Sequence, residues 1–200
     1  MQLSKFISIV LHPIFIPLCI LHLTLESLPS VVFSTSNNLN YIYCIVICST
    51  IILPLLSIFF LIKKGKVSSL EMSNHKERSL PLFITAIWMS LGFYMLNRTL
   101  IYGTLLKAEL FGAILIILFA AIISKFWKIS LHLLAIGGGV GVFIALQLIN
   151  GGLLNLLLIF LILSGTLGAA RLEQKAHTHT QIYVGFLLGI SVELITLLVY

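Results

Sequence analysis

"LHLLAIGGGVGVFIALQLI", Leu131–Ile149, runs for nineteen residues without a charged side chain. A bilayer core about 30 Å thick takes roughly 20 apolar residues as a helix, so this stretch reads as a membrane span. Its Gly137 and Gly141 stand four apart, which puts two small residues on one helix face where another backbone can approach. Gly185 and Gly189 repeat that spacing in the last apolar run. Gly137-Gly138-Gly139 is no phosphate loop, because it lies within the apolar run and lacks the Gly-Lys-Ser/Thr ending.

Outward from this run, six further stretches have span length: Phe6–Leu23, Tyr41–Ile62, Leu80–Leu96, Thr104–Ile123, Gly152–Ala169 and Gln181–Val199. The expected fold is an all-α polytopic transmembrane bundle of about seven spans, with six as the alternative, forming one integral membrane domain over residues 1–200. Composition agrees: 60% of the 200 residues are hydrophobic and 9% charged, against about 25% charged in soluble domains, so polar surface cannot cover a globule. Pro13 and Pro17 are expected to bend or break the first span. No small-residue cleavage pattern follows that run, so it is read as uncleaved. Arg98, Lys107 and Glu109 crowd the turn between the third and fourth spans and are expected at an interface, because charge at mid-bilayer is costly.

Counting crossings sorts the loops onto two faces. Segments 63–79, 124–130 and 171–180 fall on one face with the N-terminus, and they carry nine of the twelve Lys/Arg. The positive-inside rule places that face in the cytoplasm, although cations serving a site would produce the same asymmetry. Lys63, Lys64, Lys66, Lys125 and Lys128 read as topology and headgroup anchors. The net charge of +6 therefore points to a membrane lipid as partner. Nucleic acid is excluded, since no basic stripe with interleaved aromatics lies on a soluble surface. Cys19, Cys44 and Cys48 lie in apolar stretches and form no disulfide framework. Six histidines raise the question of haem or metal, but the clustered ones lie near loops, whereas membrane haem sites pair histidines within spans. His12 and His22 read as satisfied interfacial histidines, and Glu193, an acid within the last span, stays unassigned.

Three polar clusters share the basic face: "NHKERSLP" from Asn74, "SKFWKISLH" from Ser124, and "ARLEQKAHTHTQ" from Ala170. Their parts suit phosphate chemistry. Arginine presents a fork matching phosphate oxygens and lysine adds a point charge. One histidine can attack phosphorus, and another can protonate a leaving oxygen.

The third cluster resembles the signature of the type 2 phosphatidic acid phosphatase family, the vanadium haloperoxidase-like acid phosphatases. That signature runs Ser-Arg, five residues, His, three residues, Asp, then a glycine-containing helix. Here Ala170-Arg171 is followed after five residues by His177, after three more by Gln181, and then by "IYVGFLLG". Ile129-Ser130-Leu131-His132 is similar to the family's Pro-Ser-Gly-His. Arg78 and Pro81 loosely match its Arg-Pro block; Glu71 stands at the block's lysine position, which leaves Lys76 as the nearest cation. The resemblance spans about Lys76 to Gly189 and implies a phosphatidic acid phosphatase-like helical core. It also implies roles: His177 as nucleophile, His132 as general acid, and Arg171, Arg78, Ser130 and Lys76 as phosphate ligands. Gln181 would orient the nucleophile from the signature's Asp position, without that residue's charge. His179 has no counterpart. The resemblance implies no metal or other cofactor. The implied activity is removal of phosphate from a lipid phosphomonoester or polyprenyl diphosphate in a bacterial cytoplasmic membrane. A catalytically impaired lipid-binding or scaffold relative is the alternative, and a homo-oligomer stays open.

Overall fold

The computed structural model describes residues 2–28, 39–70, 72, 74–100 and 104–200. Every regular element among them is helical. The order is α1 (Gln2–Val10), α2 (Ile16–Ser27), α3 (Leu39–Ile47), a π-helical turn (Cys48–Ile52), α4 (Leu53–Lys63), a 3-10 turn (His75–Arg78), α5 (Ser79–Thr99), α6 (Thr104–Ile123), α7 (Leu131–Ile149), α8 (Leu154–Glu173) and α9 (His179–Val199).

Six continuous helical stretches are long and apolar enough to cross a membrane: Leu39–Lys63, His75–Thr99, Thr104–Ile123, Leu131–Ile149, Leu154–Glu173 and His179–Val199. The expected seventh, Phe6–Leu23, is not one helix. Proline lacks the N–H that continues the ladder and its ring clashes with the preceding turn, so the run divides around Pro13 and Pro17. The first piece, α1, turns its serines inward: Ser4 and Ser8 are buried, while Leu3, Phe6, Ile9 and Val10 are exposed. Apolar side out and polar side in suits a helix lying in the headgroup boundary against the bundle. The second piece, α2, is about 18 Å long by helical rise and descends between α3, α6 and α7.

Pro54 explains the π turn. It has no N–H for the Thr50 carbonyl, and the ladder there shifts register, with the Leu53 N–H reaching back to the Cys48 carbonyl. The α7–α8 turn uses Gly151 and Gly152 at φ of 71° and 76°, a left-handed conformation that glycine adopts without strain. The Gln147 side chain closes it by accepting the Leu153 N–H at 2.6 Å.

The glycine reading holds. α7 packs most extensively on α9. A Cβ on Gly137 would collide with the Phe186 carbonyl, and one on Gly189 with the Leu134 carbonyl. The outer faces of the long helices expose large apolar side chains such as Ile87, Ile162 and Leu187, as lipid contact requires.

Of the three charges expected at or snorkelling to an interface, Arg98 is exposed, whereas Lys107 and Glu109 are buried against the bundle. Glu193 lies beside Glu109 inside the bundle. Glu71, residues 29–38 and residues 101–103 lie outside the described residues.

Candidate functional site

The three polar segments meet at one end of the bundle. His75 Nδ1 donates to the Ser124 carbonyl at 2.7 Å, and an Arg78 guanidinium N–H points at the Ile129 carbonyl at 3.4 Å. Those contacts join the first segment to the second. The Ser130 N–H faces the Gln181 carbonyl at 3.4 Å, which joins the second to the third.

Arg78 is buried, and its Nε–H is fixed on the Met72 carbonyl at 2.7 Å. Ser130 caps α7 by position. Its hydroxyl is enclosed without a hydrogen bond, a state that costs about 1–3 kcal/mol for a buried polar group. Arg171, in the last turn of α8, donates to Gln174 Oε1 at 3.2 Å. The chain then reverses through Lys175, a lysine at φ 51°. Its N–H meets the Leu172 carbonyl at 2.8 Å, and the Ala176 N–H meets that of Arg171 at 3.1 Å. This C-terminal turn brings Arg171 and His177 to one place.

His177 is 8% exposed. Its Nδ1 lies 3.0 Å from Gln181 Oε1. The same oxygen accepts the Thr178 N–H at 3.2 Å, so it is the amide's carbonyl oxygen and Nδ1 carries the ring proton. Nε2 keeps its lone pair. Gln181 has a second duty, since Thr178 and Gln181 form the capping box that starts α9. Burial pushes the imidazole's pKa down to about 4 against the Gln181 hydrogen bond, and the charges of Arg171, Arg78 and Lys128 push the same way. His177 is therefore neutral at pH 7.

His132 Nε2 donates to the Ser8 carbonyl of α1 at 3.1 Å. It lies within electrostatic reach of Arg171, His12 and His177. His12 approaches its ring edge-on, with centroids 5.4 Å apart. α1 is moored here by Gln174, whose Nε2 donates to the Ser4 carbonyl at 2.7 Å and to Ser8 Oγ at 2.8 Å.

Arg78, Ser130, His132, Arg171, His177 and Gln181 thus gather at one end of the bundle. Lys76 does not join them: it is exposed on the 3-10 turn, and its backbone N–H bonds Asn74 Oδ1. His179 opens α9 and stacks on Tyr183, facing outward. Two residues read as anchor and interfacial histidine also lie near the cluster. Lys128 has its pKa lowered by burial and then by Arg78 and Arg171, and His12 sits on His132. Spacing in the sequence held no signal for either.

Beside the cluster an apolar cavity of about 180 Å³ runs into the bundle, from His12 and Met72 at the site end to Glu109 and Glu193. Among the described residues no group of three or more His, Cys, Asp or Glu is arranged to hold a metal ion. Comparison of the chain with protein-family models, curated proteins and solved structures returns no match.

Proposed function

We propose that this protein is a membrane-embedded lipid phosphate phosphatase. The observation that carries the reading is His177: a neutral imidazole whose Nδ1 proton is held by Gln181, within the field of Arg171, Arg78 and Lys128. A phosphate brings the negative charge that three neighbouring cations favour, and the unprotonated Nε2 is the atom that attacks.

In the proposed reaction Nε2 of His177 bonds to phosphorus as the ester P–O bond breaks. His132, made an imidazolium by a proton taken from the incoming phosphate monoanion, gives that proton to the departing oxygen and returns to neutral imidazole. Water then attacks the phosphohistidine, returning phosphate and the free imidazole, with His132 taking the proton back. Arg171 and Arg78 stabilise charge on the equatorial oxygens, and Lys128 takes the part first given to Lys76. The apolar cavity beginning at His12 gives one hydrocarbon chain a place next to the headgroup. His132 can act only after its Nε2 proton leaves the Ser8 carbonyl, so turnover requires α1 to yield.

The test is phosphate release from a panel of lipid phosphates by the purified protein in detergent, without added metal. Turnover is expected for wild type and loss of at least ~10³-fold for His177→Ala. Equal rates in the two proteins sink the proposal.

One observation favours a second reading, a lipid-phosphate-binding relative without turnover. Gln181 is neutral, so it cannot stabilise an imidazolium as a carboxylate would. That reading expects saturable lipid phosphate binding with no release, and a gain of activity in Gln181→Asp.

A further inference from the structure

We propose that Glu109 and Glu193 form a second, intramembrane site that takes the ammonium head of an apolar amine. The proposal does not depend on the phosphate reading. Glu109 on α6 and Glu193 on α9 are 7% and 3% exposed, and both line the far end of the apolar cavity. The Thr24 hydroxyl of α2 donates to Glu109 Oε1 at 2.7 Å. Oε2 of Glu193 is buried without a hydrogen-bond partner.

The bundle is shaped around this acid. A Cβ on Gly112 of α6 would collide with the Glu193 carboxyl, and one on Gly138 of α7 would stand 3.4 Å from its Cγ. Glycine at both places makes room for a carboxyl to turn inward. Lys107 lies two residues before Glu109, about 200° around the helix, and so belongs to another face. The remaining cavity wall is almost wholly apolar, with Thr50 and Thr85 as its hydroxyls and His12 at its opposite end.

Two carboxyls in such a wall select positive charge. Calcium and magnesium need six or more oxygens and zinc three or four N, O or S ligands in one place, and among the described residues these walls hold neither set. A primary ammonium has three N–H donors and one charge; with one proton shared between them, Glu109 and Glu193 offer carboxyl oxygens as acceptors and the single negative charge that balances it. Its hydrocarbon body would lie against residues such as Ile20, Leu110 and Val142. The ligand class is therefore a lipophilic primary amine.

The experiment uses the full chain in detergent with hexylammonium, hexanol and sodium chloride as probes, read by calorimetric titration. Saturable binding of hexylammonium is expected, with hexanol and sodium chloride much weaker. Glu193→Gln and Glu109→Gln should each weaken it about 10- to 100-fold, as loss of a charged hydrogen bond does. A second measurement needs no variant. Dicyclohexylcarbodiimide should label Glu109 or Glu193, mapped by peptide mass, and hexylammonium but not hexanol should protect. Equal binding of hexanol, binding of sodium alone, full affinity in a folded Gln variant, or absence of protection overturns the proposal.

Discussion

His177 carries the site's acid sensitivity. In the folded chain its pKa is about 4, against 6.5 for an unhindered imidazole. Between those values the unfolded chain binds a proton that the folded chain refuses, so stability falls as pH drops from 6.5 towards 4 and is untouched above 7. The ceiling is about 3 kcal/mol. Denaturation in detergent at pH 7 and pH 4.5 should show wild type losing more stability than His177→Gln; identical losses would contradict the buried neutral imidazole. Lys175 makes a separate prediction. A lysine at φ 51° is strained where glycine is not, so Lys175→Gly should raise stability by about 0.5 kcal/mol, read as a higher melting midpoint. Residues close in sequence were the legible ones: the Arg171–His177–Gln181 spacing puts Gln181 one turn beyond the imidazole, and its oxygen meets Nδ1. Lys128 was illegible because a lysine at a span end reads as a headgroup anchor. Only the return of its loop beneath Arg78 gives it another surrounding. Lys76 stands apart from the cluster for the converse reason, since a single residue's phase in a 3-10 turn turns a side chain outward or inward.

At the scale of elements, the contrast is between helices held by shape and one held by polar contacts. α7 and α9 meet through glycines. Gly137→Ala would force a methyl into the Phe186 carbonyl and should cost about 1–3 kcal/mol, with protection of α7 and α9 amides from exchange falling together. α1 hangs on Gln174 and on the His132–Ser8 bond. Gln174→Ala removes two of those hydrogen bonds, roughly 2 kcal/mol at typical net values, and should expose residues 2–10 to protease while leaving the long helices resistant. Glycine spacing announced the first arrangement, because small residues on one face serve close approach and little else in a span. Nothing announced the second: α1 and α2 share one apolar run of span length, and the prolines show where it breaks but not where its halves dock. The π turn at Cys48–Ile52 was hidden too, since spans often accommodate proline without a change of register.

Across the whole molecule, α2 runs part of the way that a full first span would. His12 sits by His132 at the basic end and Thr24 by Glu109 deeper in the bundle, so α2 leads from the basic end towards the opposite one. Six long helices then alternate from Leu39 to Val199. The N-terminus should report from the side of the basic loops and the C-terminus from the other, tested by a reporter fused to each end; both on one side would refute this path. Apolar run lengths made the bundle legible, and crossing counts brought the three polar clusters to one face. The buried carboxyl pair was not legible, because Glu109 and Glu193 are 84 residues apart on separate helices, and alone the first reads as an interfacial charge and the second as an unassigned acid. α1 has a consequence for biosynthesis. Ser4 and Ser8 leave the ribosome well before Gln174, which follows them by 170 and 166 residues. The N-terminal helix therefore waits on the membrane surface through most of translation. The cationic pocket acquires its full cover only when Gln174 has been made, and a chain truncated before α8 would hold that helix by the His132–Ser8 bond alone.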